Sequence, residues 1–166
     1  MKNTIKLLKI IALVAAIGFS VIACDNGTTS GGGGGDSALN GSWRDNDDGT
    51  VLRLNNGSLS ATKDGTELLR GTYTASGGTI TINYTHIYMD AQSARQYNTS
   101  PGLKTKSQYL DIQRAYGNSL GYTQSQINQV IATIEQLFGP FSYTYSVSGN
   151  TMRMTRSGST DTYTKI

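Results

Sequence analysis

The chain has 166 residues, of which 15% are charged, and a mean hydropathy of −0.32. Its formal charge of +3 comes from 14 Lys and Arg against 11 Asp and Glu, but three lysines lie before residue 10 and every acid lies after residue 24. Most of the chain is therefore about neutral and contains no basic run. Because binding to a phosphate backbone requires a concentrated basic surface, this distribution argues against nucleic-acid binding.

The first 23 residues have the layout of a secretory signal peptide. Lys2, Lys6 and Lys9 make a basic segment, and an apolar run over residues 10–23 follows it. This run is shorter than the ~20 residues that a membrane-spanning helix needs. We therefore predict a cleaved signal peptide over residues 1–23 rather than a permanent span.

The end of the apolar run, "VIAC" at residues 21–24, resembles the lipobox of bacterial lipoproteins. In that family a diacylglyceryl group is joined to the cysteine sulfur, and the signal is cut just before the cysteine. The alternatives are a free thiol in an ordinary exported protein and a signal that is cut elsewhere. The resemblance implies that Cys24 is the lipid-attachment residue, carrying palmitate-type chains, and that the protein is bound to a membrane of the cell envelope. We favour the outer membrane over the inner one.

Residues 24–40 are predicted to be the lipidated cysteine and a Gly-rich tether. The segment consists mostly of Gly, Ser, Thr, Asn and Asp, which offer almost nothing to bury. A flexible coil of this length has an end-to-end distance of roughly 20–24 Å. The glycines do not match a phosphate-binding loop, since no strand precedes them and no Gly-Lys-Ser/Thr follows. Residues 41–166 are then a single folded domain.

The folded part shows a β pattern. It is rich in Thr, Ser, Gly and Tyr, which favours strands and turns. Short alternating segments separated by turn residues predict eight strands in an antiparallel, up-and-down order. The predicted strands cover residues 40–44, 50–54, 58–62, 67–74, 79–89, 141–148, 151–156 and 160–165.

An insertion from about residue 90 to residue 140 separates the fifth and sixth predicted strands. Thr123 and Gln126 form a capping-box pattern and "GP" at residues 139–140 is a stop signal, so we predict a helix over residues 123–138. A second, weaker helix covers residues 107–116. The apolar residues of the first helix recur at helical spacing, and we expect this stripe to pack against its own domain. The stripe consists of Ile127, Val130, Ile131, Ile134, Leu137 and Phe138.

The tripeptide "GSW" at residues 41–43, followed by seven short antiparallel strands, resembles the lipocalin-like domains of bacterial envelope lipoproteins. The resemblance covers about residues 39–89 and 141–166. It implies a lipocalin-like barrel whose cavity holds a small apolar molecule, with Trp43 as a plug at the closed end. In lipocalins an arginine near the last strand packs over this tryptophan, whereas here the last strand ends in Lys165.

An eight-stranded barrel is just wide enough to be filled by side chains or to hold one small ligand. Alternation on the fifth, sixth and seventh strands places aromatic residues and methionines on shared faces. If these faces point inward, the interior is aromatic with polar tips, which suits an amphipathic ligand and a packed core equally. The candidate lining residues are Ile80, Ile82, Tyr84, His86, Tyr88, Tyr143, Tyr145, Met152 and Met154.

The sequence offers no credible catalytic or metal-binding set. His86 is the only histidine, and a zinc site needs three or four ligands. The "GNSLG" segment around Ser119 matches a nucleophile elbow only formally, because no strand precedes it. The "DNDDG" segment at residues 45–49 is one residue short of a calcium loop and lacks its final glutamate.

We therefore predict a monomeric, non-catalytic protein without cofactor or metal. Its expected partners are a membrane, through the lipid anchor, and a small apolar or amphipathic ligand. The alternative is a structural or protein-interaction lipoprotein whose barrel is filled.

Overall fold

The computed structural model describes residues 36–166. The predicted signal peptide, Cys24 and most of the predicted tether lie outside the described residues. Within the described range, no helix is both long and apolar enough to cross a membrane.

The described chain contains nine strands and three α-helices. The strands are β1 (Gly41–Asp45), β2 (Val51–Asn55), β3 (Ser58–Lys63), β4 (Thr66–Ser76), β5 (Thr79–Met89), β6 (Gly102–Thr105), β7 (Phe141–Ser148), β8 (Thr151–Arg156) and β9 (Ser159–Lys165). The helices are α1 (Ala91–Gln96), α2 (Lys106–Ser119) and α3 (Gln124–Gln136).

Eight of the strands close into an antiparallel barrel. Strands β1 to β5 pair in sequence order, β5 pairs with β7, and β9 pairs back with β1, with Arg44 opposite Thr164. The prediction of an eight-stranded up-and-down barrel, interrupted by a helical insertion after its fifth strand, is confirmed. The turn residues explain part of this order: Asn56 and Gly57 between β2 and β3 both have positive φ (45° and 85°), as the tight turns that match the twist of a hairpin require.

Strand β5 is shared between the barrel and the insertion. Its first half, residues 79–82, pairs with β7, and its last residues, 86–89, pair with β6, which the sequence analysis missed. The sheet therefore forks within β5. At the fork the backbone N–H of Tyr84 donates to the carbonyl of Phe138 at 2.9 Å. The segment just before β7 therefore supplies the hydrogen-bond acceptor for the residue that lies between the β7-paired and β6-paired parts of β5.

One end of the barrel is closed by the segment that precedes β1. Residues 37–39 form a single 3-10 turn, and the carboxylate of Asp36 caps it by accepting from the N–H of Ala38. The hydroxyl of Tyr145 on β7 donates to the same carboxylate at 2.7 Å, which ties this turn to the barrel wall. The turn places Leu39, which is fully buried, beneath the side chain of Trp43.

The half of the barrel next to this closed end is filled with side chains. Alternate residues of the eight strands point inward and meet there, as the period of two requires. Dense packing of this kind leaves little room for a ligand in that half. The buried apolar cluster comprises Leu39, Trp43, Leu52, Leu54, Leu59, Ala61, Tyr73, Ile80, Ile82, Met152 and Met154.

The insertion has its own buried residues outside that cluster. α2 and α3 pack against each other, and both begin with the capping box that the sequence indicated for α3, with Thr105 and Thr123 as the N-cap residues. The two predicted helices are confirmed, while α1 was not predicted. The ring of Tyr109 on α2 meets that of Phe138 edge-on, with centroids 6.1 Å apart.

The predicted packing of the α3 stripe is correct only in part. Ile127 and Phe138 are buried, but Val130 remains 38% exposed and the rest of the stripe is half-buried. The reason is that α3 packs mainly on α2 rather than on the barrel wall, so only one edge of the stripe is covered. Leu120 and Tyr122, in the linker between the helices, are exposed as well.

Candidate functional site

The end of the barrel opposite the 3-10 turn carries an inward-facing group of aromatic and charged side chains. We call it the open-end cluster and define it as Tyr84 on β5, Phe141 and Tyr143 on β7, Arg156 on β8 and Tyr163 on β9. The strand registers bring these elements together, since β5 pairs with β7, β7 with β8 and β8 with β9. The three tyrosines are half-buried, whereas the residues below them are buried.

Stacking contacts hold the open-end cluster together. The guanidinium carbon of Arg156 lies 4.7 Å from the ring centroid of Phe141 and 5.6 Å from that of Tyr143. The rings of Tyr84 and Phe141 are tilted against each other, with centroids 5.4 Å apart. A guanidinium over aromatic faces keeps its in-plane N–H groups available for other acceptors. The cluster therefore offers both apolar faces and a positive charge.

The tyrosine hydroxyls of the cluster contact one another and Arg156. The hydroxyl of Tyr84 interacts with that of Tyr143, and the guanidinium of Arg156 interacts with the hydroxyl of Tyr143. A ligand that binds Tyr84 or Tyr143 therefore competes with these internal contacts.

Burial keeps the cluster tyrosines protonated. It raises the pKa of Tyr84 and, more strongly, that of Tyr163, and the carboxylates of Asp161 and Asp45 add to the effect on Tyr163. The pKa of Tyr143 is also raised by burial, while the nearby charge of Arg156 works against this. All three side chains are therefore neutral hydroxyl groups at physiological pH.

Carboxylates lie on one side of the open end. Asp161 on β9 faces inward opposite Met154, and burial raises its pKa, with a further contribution from Asp45, Asp47 and Asp48. The turn after β1 stabilises part of this negative charge, because the carboxylate of Asp45 accepts a hydrogen bond of 2.7 Å from the backbone N–H of Asp47.

The turn at residues 45–49 does not form the calcium-binding loop that its sequence resembles. Asp48 accepts from the N–H of Thr50 and pairs with Lys63 at 2.9 Å, so its oxygens are already engaged. Among the described residues, no three His, Cys, Asp or Glu side chains are placed to hold a metal ion.

The depressions on the described surface include two on the barrel wall, and neither of these is an enclosed cavity. The first, of about 510 Å³, lies on the outer wall where β5, β7 and β8 are paired: it is lined by the outward-facing residues Thr79, Ser142, Thr144 and Thr155, and Tyr143 and Arg156 border it. The second, of about 410 Å³, lies on the outer wall over β2, β3 and β4. The first depression therefore meets Tyr143 and Arg156 from the outer side of the wall.

Most of the predicted lining residues face the interior. Ile80, Ile82, Met152 and Met154 are buried in the apolar cluster, and Tyr84, Tyr143 and Tyr145 pack against it. Tyr145 lies at the closed end, where burial and its bond to Asp36 raise its pKa to about 12. Only Tyr84 and Tyr143 of this set belong to the open end.

The prediction that His86 and Tyr88 share the face of Ile80 and Ile82 is wrong. Gly71 of β4 lies opposite Tyr84, but its neighbour Arg70 lies opposite His86, so β5 holds one extra residue, Thr85, at this point. Such a β-bulge reverses which side chains point inward. His86 and Tyr88 therefore lie on the outer face, where the Nδ1 of His86 is 3.0 Å from the hydroxyl of Thr85.

Four further residues that were not predicted from the sequence lie in the interior or at the rim. Ile87 and Met89 take the inward positions after the bulge, and the signal was available, since the apolar residues of β5 change phase after Tyr84. Arg156 and Tyr163 carried no such signal, because nothing in the sequence showed which end of the barrel is open.

The serine of the formal nucleophile motif lies outside this site. Ser119 is the last residue of α2, and its hydroxyl donates to the carbonyl of Tyr116 at 2.7 Å. No strand leads into it, so the structure lacks the turn that exposes such a nucleophile.

Trp43 lies at the closed end of the barrel. Its Nε1 donates to the carbonyl of Leu39 at 2.7 Å, and the Nζ of Lys165 lies 5.1 Å from its ring centroid. Lys165 thus occupies the place of the arginine that the lipocalin resemblance implies, because β9 pairs with β1 so that Trp43 and Lys165 are opposite each other.

Comparisons with known proteins assign no function. No family model matches the chain, and no curated protein matches it. Among solved structures, it is similar to the crystal structure of a lipocalin-like protein from Bacteroides uniformis, with 18% identity over 78% of this chain and 100% of that chain and a TM-score of 0.40. Because the identity and the TM-score are low, the assignment of the barrel fold rests on the strand pairing described above.

Proposed function

We propose that this protein is a lipid-anchored, non-catalytic protein of the cell envelope that binds a small amphipathic molecule at the open end of its barrel. The observation that carries this proposal is the open-end cluster, where four aromatic rings, three tyrosine hydroxyls and one guanidinium meet on inward-facing positions of β5, β7, β8 and β9. Binding sites for small molecules typically combine an apolar lining with a few convergent polar groups in this way.

The chemistry of the cluster favours a ligand with an apolar body and an oxygen-rich or anionic head. The apolar body would pack on the rings of Phe141 and Tyr143, where burial contributes roughly 25 cal/mol per Å² of apolar surface. The head would accept hydrogen bonds from Arg156 and from the tyrosine hydroxyls. Since the closed half of the barrel is filled, such a ligand would lie at the mouth rather than deep inside.

The substitution Arg156→Gln tests this proposal. We expect it to weaken binding of a dansylated medium-chain fatty acid at least about tenfold, because a hydrogen bond to a charged group contributes about 1.5–3 kcal/mol. Fluorescence titration of the purified protein measures the affinity. Arg153→Gln is the matched control, since Arg153 lies on the same strand with an exposed, outward-facing side chain. Absence of saturable binding, or equal losses in both variants, would refute the open-end site.

A filled barrel with a protein partner is the second candidate function. It is favoured by the packed interior and by the exposed apolar residues Leu120, Tyr122 and Val130 on the helical insertion. Native mass spectrometry of the purified protein separates the two candidates. A co-purified small molecule supports the carrier, and a bare protein that also fails to bind the fatty-acid probe supports the filled barrel.

The anchor rests on the lipobox resemblance of residues 21–24. We expect Cys24→Ser to leave the precursor uncut and unlabelled, because the thiol is the group to which the diacylglyceryl chain is joined. Metabolic labelling with an alkyne fatty acid, read together with the mass of the protein, measures both events. Unchanged processing of the serine variant would contradict the anchor. The test does not depend on the barrel.

A further inference from the structure

The outer wall of the barrel carries a second depression, which is independent of the open-end cluster. Its floor consists of the small side chains Ser58 and Ser60 on β3. Arg53 on β2 borders it on one side, and Arg70 on β4 borders it on the other. We call this depression the outer groove. Short residues on a central strand between long residues on its two neighbours produce the concave shape.

The strand register explains why the two arginines face each other across Ser60. Arg53 is paired with Ser60, and Ser60 is paired with Arg70, so the three residues form one row across the sheet. The Cα atoms of residues two strands apart are separated by roughly 10 Å. Guanidinium groups of two flexible side chains at that spacing can converge on one group placed above the serine hydroxyl.

The charges in the outer groove are not balanced. Arg70 is held by Glu67 through two hydrogen bonds, of 3.0 Å from Nε and 2.7 Å from one terminal nitrogen. A guanidinium has five N–H groups, so three of them remain available on Arg70. Arg53 forms no ion pair with any residue of the described range. One arginine is therefore positioned by a carboxylate, and the other is free.

The row of paired residues continues onto β5 with His86. The β-bulge at Thr85 turns His86 to the outer face, where it lies opposite Arg70. Thr85 itself borders the groove, and its hydroxyl donates to the carbonyl of Arg70 at 3.2 Å. The same bulge that removes His86 from the barrel interior therefore places it on the outer face, in the row that contains Arg70.

We propose that the outer groove binds a phosphate group, with Arg53 and Arg70 as its two clamping residues and the Ser60 hydroxyl between them. Arginine recognises such groups because its planar fork matches two oxygens at once. Ser58 and Asn55 at the end of the groove offer hydrogen bonds to hydroxyl groups next to the phosphate. The ligand class is a free phosphate ion or a small phosphate monoester such as a sugar phosphate. This site is separate from the proposed open-end function.

A two-dimensional NMR titration of the purified protein tests the outer groove. Inorganic phosphate and glucose 6-phosphate are the two probes. We expect saturable shifts of the backbone amides of Arg53, Ser60 and Arg70, and at least about tenfold weaker binding in Arg53→Gln and in Arg70→Gln. Tighter binding of the sugar phosphate would assign the groove to phosphate monoesters, and equal affinity would assign it to the ion alone.

The matched control is Arg153→Gln, an exposed strand arginine on β8, which lies across the barrel from β3. It should bind both probes as the unchanged protein does. Shifts outside the groove, equal weakening in Arg153→Gln or no saturable binding of either probe would overturn the proposal. Arg156→Gln should leave phosphate binding intact, so failure of the open-end site and failure of the groove are distinguishable.

Discussion

Replacing Trp43 by alanine should lower the free energy of unfolding by about 3–5 kcal/mol, which is the range for truncating a buried aromatic residue. The side chain is fully buried at the closed end, so its removal leaves a cavity beneath the 3-10 turn. The substitution also leaves the carbonyl of Leu39 without its 2.7 Å donor and removes the ring beneath Lys165. Chemical denaturation followed by far-UV circular dichroism measures the loss, since Trp43 is the only tryptophan.

Two further variants separate the contributions at Trp43. Trp43→Phe keeps most of the ring but removes the indole N–H, so it should cost about 1–3 kcal/mol, the penalty for a buried acceptor left unpaired. Tyr122→Ala removes an exposed aromatic residue and should change stability by less than about 0.5 kcal/mol. A loss at Trp43→Ala no larger than that of Tyr122→Ala would show that the closed end does not depend on this side chain.

Gly71→Ala is expected to destabilise the barrel by about 3 kcal/mol, at the upper end for inserting a methyl group into a packed site. A Cβ at this position would overlap the carbonyl oxygen of Asn83 and approach the Cα of Tyr84 to 3.1 Å. Both obstacles are backbone atoms of the neighbouring strand, so no side-chain rotation relieves them. Thermal and chemical unfolding of the variant measure the effect.

Gly65→Ala is the matched control for Gly71→Ala. Gly65 has a positive φ of 77°, but an added Cβ would meet no atom within 4 Å. Its substitution therefore carries only the conformational penalty, about 1 kcal/mol. If Gly71→Ala cost no more than Gly65→Ala, the close approach of β4 and β5 at the bulge would not be a constraint on the fold.

The barrel could be predicted because its determinants are local. Alternation marks each strand, and turns such as Asn56-Gly57 force neighbouring strands to be antiparallel. β6 escaped prediction for the opposite reason: residues 102–105 are too few to show a period, and they become a strand only by pairing with the exposed part of β5. The helix over residues 124–136 was predictable from its capping box and its stop signal.

The candidate site was less predictable because it depends on register. Tyr84 and Tyr143 could be assigned to a shared interior from alternation alone, whereas strict alternation misplaces His86, because one extra residue at Thr85 reverses the faces. The mark that this bulge leaves in the sequence is the change of phase from Ile82 to Ile87. Arg156 and Tyr163 become part of the open end only because the 3-10 turn closes the other end. The outer groove depends on three strands in register, which no single segment reveals.

The fork in β5 has a consequence for how the insertion and the barrel unfold. Residues 86–89 are the last part of the barrel strand β5, and they pair with β6 of the insertion. Residues 90–140 therefore cannot unfold separately without breaking hydrogen bonds of β5. The N–H of Tyr84 would lose its acceptor at Phe138 in the same event. Amide protons near the fork should therefore exchange with solvent at the rate of global unfolding, which makes the helical insertion and the barrel a single cooperative unit.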